Sequence, residues 1–228
     1  MMHVNSKLLV AQIAILFLVL ALVLFLPAGT IAWRPAWIFL VLFFCFVISV
    51  TLWLYKHNPG LLQERMIVFK SDQEAWDKVL FTLTEGLFFA WLGLMPLDAV
   101  RFRWSQMPVW LQVIGAILLL CSFYLFFLTF RENPYLSSAV RIQTERGQTV
   151  ISTGPYHYVR HPMYAAFIPF VLGTPLLLGS WYGVLLGPIL VVIVAIRALL
   201  EERLLRKKLK GYDIYMAQVK YRLIPYVW

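Results

Sequence analysis

The sequence predicts an all-α, polytopic helical membrane protein with about six transmembrane helices and a C-terminal interfacial helix. Of the 228 residues, 61% are hydrophobic and only 14% are charged, and the mean hydropathy is +0.77. A soluble domain is about 45–50% apolar and about 25% charged, so this apolar excess does not fit inside one core. The apolar runs lack the period-two alternation of barrel strands, and lipid-spanning backbone is therefore expected to be helical.

Six apolar stretches are long enough, or nearly so, to cross a hydrocarbon core, which takes roughly 17–25 helical residues. The first is longer than the apolar part of a secretory signal and is not followed by an A-x-A cleavage site, so we expect a retained helix. The stretches are Leu8–Leu26, Pro35–Tyr55, Val79–Leu97, Val109–Phe130, Met163–Gly179 and Trp181–Leu200.

The positive charges segregate to one side of this six-helix arrangement. Arg34, Arg101 and Arg103 lie on one side, and the other 17 Lys and Arg residues share the opposite side with both termini. The positive-inside rule then predicts that both termini are cytoplasmic, as in a bacterial inner membrane. The formal net charge of +9 comes mostly from the segments on this cytoplasmic side, where we expect it to orient the protein in the membrane and to contact anionic lipids. We expect no nucleic-acid partner.

Most polar residues belong to three segments on the predicted cytoplasmic side: 56–78, 131–161 and the tail from Glu201. The first contains Asn-Pro-Gly at residues 58–60, which predicts a turn. In the tail, apolar residues recur at helical spacing and predict one interfacial or packed helix that Pro225 ends. Those apolar residues are Leu205, Leu209, Tyr212, Met216 and Val219.

The densest polar cluster, residues 152–164, leads directly into the fifth span. Pro162 suits the first turn of a helix, and Arg160 and His161 add cations beside that positively polarised helix end. Such a helix start can hold a carboxylate or phosphate, although it can equally be a membrane anchor with interfacial aromatic residues. His157 and His161 are four residues apart, but too few ligands surround them for us to expect a metal site.

The Gly179-Ser180 turn predicts an antiparallel hairpin of the last two spans, which brings the start of one beside the end of the other. Arg197 and Glu201 are four residues apart on the second arm and can pair. We therefore expect them to meet the Arg160-His161 pair in one cytoplasmic cleft. Glu85 is the only ionisable residue deep in a span, and either a structural or a cavity-lining role is open.

The combined motifs resemble the isoprenylcysteine carboxyl methyltransferase family, and especially its bacterial branch. Upstream, residues 58–65 extend the resemblance, which is strongest over residues 130–228. The motifs are Asn133-Pro134-Tyr135, Ile142-Gln143, Arg146-Gly147-Gln148, Thr153-Gly154-Pro155-Tyr156, Arg160-His161-Pro162-x-Tyr164, Glu201-Glu202, Tyr212…Tyr215 and Arg222-Leu223-Ile224-Pro225.

The resemblance implies an integral-membrane methyltransferase that uses S-adenosylmethionine and a lipid-like acceptor, such as an isoprenylcysteine-like carboxylate. The apolar stretches predict four helices and the loop 56–78 in residues 1–130. The resemblance implies a cofactor-binding loop, the hairpin and the tail in residues 131–228, and we expect all of these in one membrane domain. By matching position, Arg197 is the implied catalytic residue, aligning the acceptor carboxylate. The implied cofactor-binding residues are Gln143, Gln148, Thr149, Val150, Ile151, Tyr156, Arg160, His161, Pro162, Met163, Tyr164, Glu201 and Glu202.

Two other functions remain open at this point. Membrane sterol and steroid reductases have a similar C-terminal helical arrangement but bind NADPH. A membrane scaffold or small transporter would use the basic loops to bind lipid head groups, although the chain lacks the paired repeats typical of transporters. The identity of the acceptor and the oligomeric state do not follow from the sequence.

Overall fold

The computed structural model describes residues 4–228, and within them it contains helices, turns and loops but no β-strand. Five helices are long and apolar enough to cross a membrane, and a sixth apolar helix, α6, has 17 residues. Each of the six predicted stretches lies within one of these helices or extends one residue beyond its end, which confirms the fold class. The helices are α1 Ser6–Ala28, α2 Arg34–His57, α3 Pro59–Met66, α4 Ala75–Pro96, α5 Val109–Glu132, α6 Pro162–Leu178, α7 Trp181–Lys208 and α8 Tyr212–Gln218.

The helix boundaries follow from capping residues in the sequence. Asn58 forms the predicted turn after α2, and its side chain accepts a hydrogen bond from the N–H of Leu61 at the start of α3. Gly179 ends α6 in the left-handed conformation (φ +84°), and Ser180 caps α7 by accepting from the N–H of Gly183. The predicted hairpin is therefore present.

The transmembrane core is densest where α5 and α6 pack together. A Cβ on Gly115 would lie 2.4 Å from the backbone nitrogen of Leu177, and one on Gly173 would lie 2.7 Å from the Gly115 carbonyl oxygen. Glycine at both positions lets the two backbones approach closely. This contact holds the second half of α6 against α5, and the Ser122 hydroxyl holds the first half by donating to the Ala166 carbonyl (2.7 Å).

The C-terminal tail differs from the single helix that its apolar spacing predicts. Helix α7 continues to Lys208, the chain reverses at Gly211 (φ +87°), and α8 is only seven residues long. Its apolar side chains still share one cluster, because Tyr212, Tyr215 and Val219 pack around Tyr156. The periodicity correctly indicated a buried face, but this face is assembled from two helices.

Candidate active site

The start of α6 and the end of α7 border one cleft, which is closed by the loop between α5 and α6 and by α8. Every residue that we predicted for the site lines this cleft except Glu202. The lining includes Arg197, Gln143, Gln148, Thr149, Val150, Ile151, Tyr156, Arg160, His161, Pro162, Met163, Tyr164 and Glu201. The hairpin thus brings together residues far apart in sequence, as expected.

Arg160 braces the C-terminal tail against the start of α6. Its backbone N–H donates to the Tyr221 carbonyl (2.9 Å), and its Nη1 donates to the carbonyls of Val219 (2.7 Å) and Lys220 (2.9 Å). Its Nε donates to the carboxylate of Glu202 (3.1 Å). Two of its three guanidinium nitrogens are therefore engaged with protein groups, and only Nη2 has no partner among residues 4–228.

Glu202 lies outside the cleft lining, because α7 turns it toward the tail. Its carboxylate accepts from Arg160 and from both Nε and Nη2 of Arg222 (3.2 Å each), and the residue is buried. A buried carboxylate needs such partners, since an unpaired charge in the interior is costly. The geometry gives Glu202 a structural ion pair, while its expected contact with the cofactor stays a prediction.

Two buried polar atoms in the cleft lining have no hydrogen-bond partner. They are Nε2 of His161, on a residue 5% exposed, whose contact with Glu202 Oε2 is long at 3.7 Å, and the hydroxyl of Tyr212, on a residue 4% exposed. Burial raises the pKa of Tyr212, with the nearby carboxylates of Glu201 and Glu202 adding to it, so the hydroxyl keeps its proton and can donate. A buried polar group without a hydrogen bond costs free energy, and a polar ligand that bonded either atom would remove that cost.

Glu201 and Arg197 do not pair with each other, which corrects the pairing that their spacing suggested. Instead, Glu201 accepts a hydrogen bond of 2.7 Å from the hydroxyl of Tyr164. The ring of Tyr164 lies beside that of His161, with 5.6 Å between their centroids. Glu201 forms no ion pair among the described residues, and its carboxylate contributes a negative charge to the cleft lining.

Arg197 is held by a carboxylate from another helix. Asp77, near the start of α4, is fully buried and accepts from Arg197 Nε (2.6 Å) and Nη2 (3.2 Å). Nη2 also donates to the carbonyl of Ser138 (2.7 Å), and the guanidinium carbon lies 5.8 Å from the ring centroid of Phe81. Because Nη1 has no partner among residues 4–228, it is the nitrogen left to meet a ligand.

Asp77 is itself oriented by two further donors. The side-chain amide of Gln73 and the backbone N–H of Val140 each donate to its Oδ2, both at 2.8 Å. Four hydrogen bonds thus fix the carboxylate, and through it the guanidinium of Arg197. Sequence reasoning missed Asp77, because nothing in its local pattern connects it with an arginine 120 positions away.

The loop over the cleft is braced by its own glutamines. Gln143 donates to the Tyr135 carbonyl (2.6 Å) and accepts from Arg146 (2.6 Å), and its backbone N–H donates to the side chain of Gln148 (2.8 Å). Both glutamines therefore shape the loop that carries Thr149, Val150 and Ile151. Their contact with a cofactor remains a prediction.

An ionic network ties this loop to α3. Arg141 donates to Glu64 (3.2 Å), Asp72 (2.7 Å) and Glu145 (2.7 Å), and Glu64 also pairs with Lys70 (3.1 Å). Burial by itself would raise the pKa of Glu64, but hydrogen bonds from Lys70 and Ser137 and the charge of Arg141 bring that pKa below its ordinary value. The loop is therefore anchored to the preceding polar segment of the chain.

Tyr156 connects the loop, α5 and α8. Its hydroxyl accepts from the side-chain amide of Asn133 (2.7 Å), and its carbonyl accepts from the hydroxyl of Tyr215 (2.7 Å). Just before it, Gly154 has φ +56°, and a Cβ there would lie 2.6 Å from Cγ of Glu132. These contacts explain the Gly-x-Tyr spacing structurally, since glycine lets the chain pass Glu132 and so seats Tyr156.

In residues 4–228, no group of three or more His, Cys, Asp and Glu side chains is arranged to hold a metal ion. Cys45 and Cys121 are free and exposed on α2 and α5. The arginines and carboxylates that line the cleft are Arg141, Arg160, Arg197 and Glu201.

Comparison with known families agrees with this architecture. Residues 110–211, a little under half of the chain, match the family model described as phospholipid methyltransferase. That family includes the isoprenylcysteine carboxyl methyltransferases, so the expected resemblance is confirmed. The matched segment runs from α5 to the end of α7 and contains every predicted site residue. No curated protein is similar enough to the chain to count as a match.

Proposed function

We propose that this chain, a membrane methyltransferase by its match to the phospholipid methyltransferase family, methylates a carboxylate on a lipid-phase acceptor using S-adenosylmethionine. The observation that carries this proposal is the cleft, whose lining combines two buried polar atoms without a hydrogen bond, the Glu201 carboxylate and the positioned Arg197. The charge bias of the loops supports a cytoplasmic location for the cleft and both termini.

The cleft has donors and acceptors that fit the polar groups of S-adenosylmethionine. When bound, this cofactor supplies a methyl group carried on a sulfonium. His161 Nε2, the Tyr212 hydroxyl and Arg160 Nη2 make no hydrogen bond among residues 4–228, although Glu202 lies 3.7 Å from His161 Nε2, and the three can donate to a carboxylate. Glu201 can accept from an amine or ribose hydroxyl. The negative charge of Glu201 also favours a cation nearby.

Arg197 would align the acceptor. A carboxylate is already nucleophilic, so it needs no general base, only a fixed orientation toward the methyl group. Asp77 fixes Nε and Nη2 of Arg197 and leaves Nη1 for the acceptor. Orientation of two reactants can contribute roughly 7–11 kcal/mol to a bimolecular step, which gives positioning residues a large share of the rate.

The proposal is tested with purified protein in detergent, S-adenosylmethionine labelled in its methyl group, and a bacterial lipid extract. We expect the labelled methyl group to appear in the lipid fraction and to be released from it by alkali as methanol. Base cleaves carboxyl methyl esters but does not cleave methylamines. Arg197→Gln should abolish most of this transfer, whereas Arg206→Gln, an exposed arginine farther along α7 paired with Asp213, should not. Alkali-stable label would refute the carboxylate acceptor, and absence of transfer to any lipid would refute the methyltransferase.

A further inference from the structure

Glu85 lies in the membrane-spanning part of α4, and its side chain is exposed. Among residues 4–228 it has no hydrogen bond and no ion pair, and the cleft described above does not include it. An acidic side chain inside a span is costly and usually meets a polar partner. Residues 4–228 supply no hydrogen bond or ion pair to it, which leaves the carboxyl open to a ligand from the lipid phase.

The position of Glu85 connects it with the proposed acceptor path. It follows Phe81 by four residues and Asp77 by eight, so the three side chains lie toward one side of α4. With a rise of 1.5 Å per residue, Glu85 is about 12 Å deeper along the helix than Asp77. Long side chains on a helix point back toward its N-terminus, which directs the carboxyl of Glu85 toward Phe81 and the Arg197 guanidinium above that ring.

The surroundings of Phe81 indicate an approach from lipid. Its ring also contacts that of Phe69, with 5.6 Å between centroids, and Phe69 belongs to an exposed apolar run with Ile67 and Val68. An amphiphile whose head group reached Arg197 from the membrane would therefore extend past Phe81 along α4. Glu85 is the ionisable group it would meet next.

We propose that Glu85 binds a hydrogen-bond donor, a hydroxyl or amino group, on the chain of the lipid-phase acceptor and so selects among acceptors. This inference rests on the proposed function, because it takes Arg197 as the site of the acceptor's carboxylate. Glu85 is a specificity residue in this account and takes no part in methyl transfer itself.

The test compares two probes, hexadecanoic acid and the same acid with a hydroxyl group in mid-chain, for direct binding to the detergent-solubilised protein. The natural chain should bind the hydroxylated acid about tenfold more tightly than Glu85→Gln does, as expected when a hydrogen bond to a charged acceptor is replaced by one to a neutral amide oxygen. Unsubstituted hexadecanoic acid should bind both proteins equally. Thr82→Val, an exposed substitution on the same helix, should change neither affinity.

Equal binding of the hydroxylated acid to the natural chain and Glu85→Gln would overturn the inference. So would an equal loss for both probes, which would indicate a general packing defect. Methyl transfer is measured separately in the same preparations. Glu85-dependent binding without any transfer would refute the proposed function and leave the lipid site, whereas transfer with Glu85-independent binding would refute only the lipid site.

Discussion

The ion pair between Asp77 and Arg197 provides the sharpest test of how the site is positioned, through the substitution Asp77→Asn. The amide keeps the shape of the side chain but removes the charge that holds Nε and Nη2 of Arg197 at 2.6 and 3.2 Å. Breaking a buried ion pair costs about 3–5 kcal/mol. Because Nη2 keeps the Ser138 carbonyl and the Arg197 side chain is 13% exposed, we expect the lower end, about 3 kcal/mol.

The rate of methyl transfer by Asp77→Asn should fall further than the loss of folded protein alone would cause. A displacement of about 1 Å in a positioning group can cost about a hundredfold in rate, so kcat/KM should drop by about that factor. The affinity for S-adenosylmethionine should stay unchanged, because Asp77 does not line the cleft. The assay is alkali-labile methyl transfer to lipid, with cofactor binding measured by calorimetry on the same protein.

Asp98→Asn is the matched control. Asp98 is equally buried, beside the start of α7 and away from the cleft, and accepts from the hydroxyls of Ser105 (2.7 Å) and Ser180 (2.6 Å). Asp98→Asn should lower the free energy of unfolding, but the folded protein should keep its rate of methyl transfer. Asp77→Asn with full turnover would refute the reasoning, and so would the same loss of transfer in both variants.

Three further predictions concern the loop and its ligands. Glu64→Gln should lower the thermal midpoint at neutral pH. The difference should shrink as the pH falls below the ordinary carboxyl pKa and vanish below the lowered pKa of the folded protein, because Glu64 is then protonated in both states. A pH-independent difference in melting would contradict this. Gly154→Ala, where the new Cβ meets Glu132, should destabilise the protein by about 1–3 kcal/mol more than Gly147→Ala, because both glycines have a positive φ and only Gly154 is crowded; equal unfolding midpoints would refute it. Tyr212→Phe should weaken S-adenosylmethionine binding about tenfold without loss of stability, and unchanged affinity by calorimetry would exclude the Tyr212 hydroxyl as a ligand.

The membrane architecture could be predicted because hydropathy and turn residues act locally. Six apolar stretches and the Gly179-Ser180 turn suffice to bring the start of α6 beside the end of α7. The cleft follows from that hairpin. The resemblance then identified which residues of the preceding loop would cover it, and they line the cleft.

The partners of the charged residues could not be predicted, since each depends on contacts between distant segments. Spacing on α7 suggested that Arg197 pairs with Glu201, yet a buried carboxylate on α4 offers Arg197 two contacts and Glu201 bonds a tyrosine. Glu202 was placed with Glu201 because the two are adjacent in sequence. On a helix, adjacent residues point about 100° apart, and Glu202 therefore reaches the tail instead.

The central claim is that the cleft binds S-adenosylmethionine, and calorimetric titration of the folded, detergent-solubilised chain tests it most directly. The account predicts saturable binding of S-adenosylmethionine that is lost in both His161→Ala and Glu201→Ala, with no binding of NADPH. Binding of NADPH alone, or binding of S-adenosylmethionine that survives both substitutions, would contradict it.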